Sequence, residues 1–113
     1  MIEKAQQEFI LRGKLKKNIS SKTSVNRDDY YFAPLQVEET EKNGQKVENE
    51  VDSITMMFWK KNFNPETQKS ISELKENQIV SVLGYYQWVN DGRLWYVTEL
   101  IEVEKDDEND LYI

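Results

Sequence analysis

The side chains of this chain that can do chemistry are rings and cations. The 113 residues include 3 Trp, 6 Tyr and 4 Phe, and five of these rings, Tyr85, Tyr86, Trp88, Trp95 and Tyr96, fall in GYYQWVNDGRLWY, residues 84–96, together with Arg93. Flat rings stack on flat ligands and cations pair with anions, so the chemistry on offer is non-covalent. The same rings can instead fill a core and form cross-strand pairs. With no His and no Cys, disulfides, thiolate chemistry, the usual zinc sites and the histidine-activated nucleophile systems are excluded. No nucleophile, metal cluster or phosphate loop stands out, so neither an enzyme nor a cofactor is expected.

The net charge of −6 is unevenly spread. Residues 1–37 hold seven basic and four acidic groups, a local charge of +3. Residues 38–52 hold two basic and six acidic groups, and the last 13 residues hold one basic and six acidic, giving −4 and −5. The acidity is therefore confined to one loop and one tail, and the remaining body can attract anions. Arg12, Lys14 and Lys16 share one side of the first apolar segment, and Lys60 and Lys61 follow Trp59. The tail carboxylates, Asp106, Asp107, Glu108 and Asp110, lack the glycine and ligand spacing of a calcium loop and read as a solvated run. No apolar run approaches membrane-spanning length, and MIEKAQQEF lacks the pattern of a secretory signal, so a cytoplasmic protein is expected.

The elements that must position these groups are mostly strands. FILRGKLKK (9–17) alternates Phe9, Leu11, Gly13 and Leu15 with Ile10, Arg12, Lys14 and Lys16, the period of a half-buried strand. NISSKTSVNRDD reads as a mobile loop, and YYFAPLQVEE as a second strand in which Pro34 suggests an edge or a bulge. Asn43-Gly44 marks a turn. In VDSITMMFWKK, Ile54, Met56 and Phe58 form one face, which leaves Met57 and Trp59 on the other. NPETQKSISELKEN is the one helix, capped by Asn64 with Pro65 at its first position and ending at Asn77. IVSVLGYYQWV and RLWYVTELIEV form a hairpin. A turn at Asp91-Gly92 would set Trp88 opposite Trp95, Gln87 opposite Tyr96 and Tyr86 opposite Val97. Gly13 and Gly84 sit mid-strand, where a glycine marks a bend or bulge. The expected fold is all-β, a five-stranded OB-fold barrel with one short helix between strands three and four. Its domain spans 1–105, followed by an acidic tail, 106–113.

In this order of elements the chain resembles bacterial and phage single-stranded DNA-binding proteins. LKENQIVSVLG (74–84) is similar to that family's passage from helix to fourth strand, with Asn77 in place of a glycine. WYVTELIEV, FILRGKL and TMMFWKK resemble its fifth, first and third strands, and Trp59 falls where the family has an aromatic facing DNA. Ser53 stands where a family tryptophan begins the third strand. The direct passage from barrel to KDDENDLYI is more like phage versions than like those with a long Gly- and Pro-rich linker.

The resemblance implies a non-catalytic binder of single-stranded DNA acting in replication or recombination, phage-encoded, and a homotetramer or homodimer. Stacking is expected on Trp59, Trp88 and some of Tyr85, Tyr86, Trp95 and Tyr96, with phosphate contacts from Arg12, Lys14, Lys16, Lys60, Lys61 and Arg93. The tail, through Asp106, Asp107, Asp110, Leu111, Tyr112 and Ile113, resembles a terminus that recruits replication or recombination proteins. The rival expectation is an OB-fold module that binds another protein, with its rings in that interface.

Overall fold

The alternation in FILRGKL becomes the burial pattern of the first strand in a computed structural model, which describes residues 7–90 and 92–104. The tail residues Asp106, Asp107, Asp110, Leu111, Tyr112 and Ile113, and the domain boundary drawn at 105, lie outside the described residues. Strand β1 (Phe9–Leu15) buries Phe9, Leu11, Gly13 and Leu15 and turns Ile10, Arg12 and Lys14 outward. It is followed by β2 (Ser20–Thr23), β3 (Asp29–Lys42), β4 (Gln45–Val47), β5 (Ser53–Trp59), a 3-10 turn at Lys60–Asn62, helix α1 (Pro65–Ser72), β6 (Ile79–Val89) and β7 (Gly92–Glu104).

Hydrogen bonding runs β1-β6-β7-β5-β3, and β3 pairs back onto β1, so five strands close into a ring. Neighbours are antiparallel except β5 and β7, which are parallel. This is the OB-fold arrangement expected from the sequence, with α1 between the third and fourth strands of the ring. Closure demands sharp bends, and two of the three register shifts in the ring fall at glycines, the third lying at Ser81/Val82. Register shifts occur at Arg12/Gly13 against β3 and at Leu83/Gly84 against β7. A Cβ on Gly84 would stand 2.1 Å from the Tyr96 carbonyl oxygen, and one on Gly13 equally near that of Gln36, so no side chain fits at either bend.

Inside the ring, Leu11, Leu15, Leu35, Met56, Phe58, Val80, Val82, Trp95 and Val97 are fully buried. Ile71 and Leu74, at and just past the end of α1, join the same core and close one end of the barrel. Asn64 caps α1 by accepting from the Thr67 backbone N–H at 2.8 Å. The helix stops at Ser72, short of the expected Asn77. Asn77 instead occupies a separate turn at φ +77°, the left-handed conformation that suits Gly or Asn, which accounts for its standing in place of a glycine.

Three expectations about the strands are corrected. NISSKTSVNRDD is not a loop throughout: Ser20–Thr23 pairs with residues 29–32 of β3, and only 24–28 turn. All four β2 residues are exposed, so backbone pairing forms the strand and no apolar alternation announces it. Pro34 is neither at an edge nor at a bulge. On one side of β3 the pairing with β2 ends at Phe32 and that with β1 begins at Leu35, and the proline, which lacks an N–H, fills the gap. The β6–β7 hairpin is offset by two residues from the expected register, with Val89 opposite Gly92, Trp88 opposite Arg93, Tyr86 opposite Trp95 and Tyr85 opposite Tyr96. Gly92 has φ +135°, outside the reach of ordinary side chains, so it closes the hairpin from within β7, opposite Val89.

Candidate nucleic-acid interface

Parity along β3 and β5 decides which rings leave the core. Ala33, Leu35 and Val37 point inward on β3, as Ile54, Met56 and Phe58 do on β5, so Tyr30 and Phe32 face out with Met57 and Trp59. Cross-strand register then aligns them in rows. Phe32 pairs with Met57, Met57 with Tyr96 in the parallel ladder, and Tyr96 with Tyr85. Lys22, Tyr30 and Trp59 form the neighbouring row. The first row crosses three strand spacings of about 4.8 Å, or roughly 14 Å of sheet surface.

The rings in these rows touch but do not bury one another. Tyr30 lies 5.1 Å from Trp59 and 5.8 Å from Phe32 between centroids, both tilted. Tyr85 and Tyr96 stack at 5.0 Å and 14°, and partial burial pushes the Tyr85 hydroxyl above its ordinary pKa. Asn62 Nδ2 donates to the Tyr96 hydroxyl at 3.0 Å, fixing the ring. Each of these rings is half-buried, with one edge supported by the sheet and one surface left to solvent. Lys22 Nζ is 5.9 Å from the Phe32 ring centre, and Lys61 Nζ is 5.8 Å from that of Trp59. An aromatic strip bordered by ammonium groups can stack flat bases and hold the phosphates between them.

The other rings of GYYQWVNDGRLWY lie on the opposite face of the ribbon. Trp95 is fully buried, edge-on to Phe9 at 4.8 Å and to Tyr86 at 5.1 Å. The expectation that it offers a stacking surface is corrected: it is a core residue, and its indole N–H finds no partner among the described residues. Tyr86 is half-buried, with its hydroxyl enclosed and likewise unpartnered, and burial raises its pKa. Trp88 is 74% exposed because the ribbon has by then left the barrel.

The cations divide in the same way. Arg12 donates to Glu104 on β7 and to Ser81 at 3.4 Å, and the Glu104 hydrogen bond, helped by Glu104, Glu102 and Glu39 charges, raises its pKa. The register places Arg12 beside Glu39 and Ser81, and Lys14 beside Gln36 and Ile79, so these two are not brought to the ring rows at 30 and 32. Lys16 is exposed where its backbone N–H meets the Pro34 carbonyl, nearer that strip. Lys60 lies 4.5 Å over Tyr31, an inward-leaning ring at the margin of the core. Lys61 donates to Asp28 at 3.1 Å and Arg93 to Glu50 at 3.1 Å.

Tyr30, Phe32 and Met57 were not among the residues expected from sequence to form a site. Counting back by twos from Leu35 and Ala33 turns Tyr31 inward, and would have found Tyr30 and Phe32 on the outer face. Among the described residues no group of three or more acidic side chains is placed to hold a metal ion, and no helix is long and apolar enough to cross a membrane.

No family model matches the chain, and no curated protein matches its sequence. Solved structures do match its fold. The small single-stranded DNA-binding protein from Streptomyces coelicolor aligns with a TM-score of 0.57 at 9% identity, over 95% of this chain and 98% of its own. The mitochondrial single-stranded DNA-binding protein of S. cerevisiae gives 0.61 at 12%, over 91% and 99%. The Plasmodium falciparum protein, in complex with single-stranded DNA, gives 0.52 at 15%, over 86% and 88%. At such identities the likeness is one of architecture, and the chain carries the OB fold found in single-stranded DNA-binding proteins.

Proposed function

We propose that the protein binds single-stranded DNA without sequence preference and without catalysis. The observation that carries this reading is the outward aromatic strip, continuous from Phe32 through Met57 and Tyr96 to Tyr85, with Tyr30 and Trp59 beside it, on an OB fold. Rings of this kind accept any base, because every base has a flat face. Lys22, Lys61 and Lys16 border the strip or its ends and supply phosphate contacts, with Lys60 behind Trp59 as a further cation. Trp88, exposed on the other face of the hairpin, is a further platform next to Arg93. Replication and recombination are the processes that expose such a ligand. The homodimer or homotetramer that the resemblance implies is checked by sedimentation equilibrium.

The test is an anisotropy titration of labelled mixed-sequence single strands, with duplex of equal length as competitor. Single strands of every composition are expected to bind with similar affinity and duplex to compete poorly. A protein that binds no oligonucleotide at low salt refutes the reading. The strip would then be the contact surface of another protein, a use that half-buried rings on a chain of net charge −6 also suit.

A further inference from the structure

Beyond the strip, the loop after β4 places one carboxylate between two cations at the open end of the barrel. Glu50 Oε1 accepts from Arg93 Nη1 at 3.1 Å, and its Oε2 lies 3.5 Å from Lys42 Nζ. Both cations rest on rings. The Arg93 guanidinium carbon is 4.2 Å from the Tyr86 ring centre and 5.2 Å from that of Trp88, and Lys42 Nζ is 4.4 Å from that of Phe9. Contacts from Arg93 and Lys42 hold the Glu50 carboxyl below its ordinary pKa, so it is an anion at neutral pH.

Two cations held on aromatic supports and converging on one carboxylate form an anion site whose occupant is part of the chain. We infer that Glu50 stands in for a backbone phosphate, occupying Arg93 and Lys42 until a single strand stacked on Trp88 displaces it. The inference rests on the proposed binding of single-stranded DNA. It gives the Trp88 platform, on the face of the hairpin opposite the strip, a phosphate-binding pair of cations and a built-in competitor for them.

The geometry permits the exchange. The side chains of Glu50, Lys42 and Arg93 are 46%, 32% and 23% exposed, so the carboxylate can swing away without opening the core. Arg93 keeps its two aromatic contacts when Glu50 leaves. A phosphate offers the guanidinium the same paired oxygen acceptors that the carboxylate does. The exposed Trp88 ring next to it supplies the adjoining base contact. A surface carboxylate in competition with ligand lowers affinity by only a small factor, which tunes binding without preventing it.

The experiment compares wild type, Glu50→Gln and Glu39→Gln in anisotropy titrations with labelled oligo-dT across a salt series. Glutamine keeps an oxygen for Arg93 and removes the charge. Glu39, paired with Lys46 at 3.3 Å, controls for the same change in net charge elsewhere. Glu50→Gln is expected to bind about two- to five-fold more tightly at low salt. Its log-log salt dependence should steepen by about 0.7 for each further phosphate neutralised on a single strand, up to two phosphates. Adding Lys42→Met to Glu50→Gln should return one of those increments. If Glu50→Gln matches Glu39→Gln, or binds less tightly than wild type, Glu50 is a brace and the inference is wrong while the proposed function stands. If neither wild type nor either variant binds, both fall together.

Discussion

Trp88 and Trp95 share one face of one ribbon and end in opposite surroundings, the first 74% exposed and the second not at all. The difference lies in where the ribbon leaves the barrel. At Trp95 the face looks onto Phe9 inside the barrel, with Tyr86 beside it on the ribbon, and at Trp88 the barrel below has ended. On the reverse face, Tyr85 and Tyr96 never meet the core, and with Trp59, Tyr30 and Phe32 they make a surface. Face and height together, and not residue type, separate rings that hold the fold from rings available to a ligand.

The sharpest way to break this contrast is to remove the buried member. Trp95→Ala is expected to cost about 3–5 kcal/mol of stability, as large core truncations do, read by urea unfolding. A loss below about 1 kcal/mol would mean that Trp95 is not core, since that is the scale of surface changes. Next in size is Gly84→Ala, whose Cβ would meet the Tyr96 carbonyl oxygen at 2.1 Å. The bend must open, and a cost of about 1–3 kcal/mol is expected, with Tyr85 and Tyr96 drawn out of register. Unchanged amide chemical shifts at Tyr96 would show that the bulge does not hold the strip in place.

Trp88→Ala removes only a cation–π contact and exposed area, so a loss of about 0.5–1 kcal/mol is expected in the same unfolding measurement. A cost as large as that of Trp95→Ala would erase the distinction. The smallest expected effect concerns Glu50. Its carboxyl is held below the ordinary 4.5, first by the Arg93 hydrogen bond, against some desolvation and with help from Lys42. A depressed carboxylate adds stability that is complete above its unfolded pKa and is lost as pH falls through its lower folded value. Wild type should therefore lose slightly more stability than Glu50→Gln as pH drops from about 4.5 downward, and equal losses in urea titrations would remove the stabilising role of the pair.

Much of the architecture was legible because alternation records burial. FILRGKL, and ITMMFW with its inward Ile54, Met56 and Phe58, declared their faces, and Gly13 and Gly84 marked the bends. The face of Trp59 followed from the same count. What escaped had no such record. Tyr30, Tyr31 and Phe32 are adjacent rings, and only the inward Ala33 and Leu35 show which two turn out. Ser20–Thr23 is polar throughout, so its pairing to β3 left no pattern. The hairpin register depended on the positive φ of Gly92, and a two-residue slip preserves each side chain's face while changing every partner. Trp95 was placed in the right ribbon, but a bulge at Gly84 can exchange the inward and outward sets, so its environment did not follow from the alternation alone. Arg12 carried the right charge, but its bond to Glu104, 92 residues away, is visible only once β7 returns past β1 through β6.

The most direct measurement is single-strand affinity in Trp59→Ala at matched folded fraction, by anisotropy with labelled oligo-dT. Trp59 lies outside the core and beside Tyr30 and Lys61, so the variant is expected to fold and to lose about 1–3 kcal/mol of binding, roughly 5- to 150-fold in Kd. A folded Trp59→Ala protein that binds as tightly as wild type would contradict the assignment of the outward strip as the binding surface.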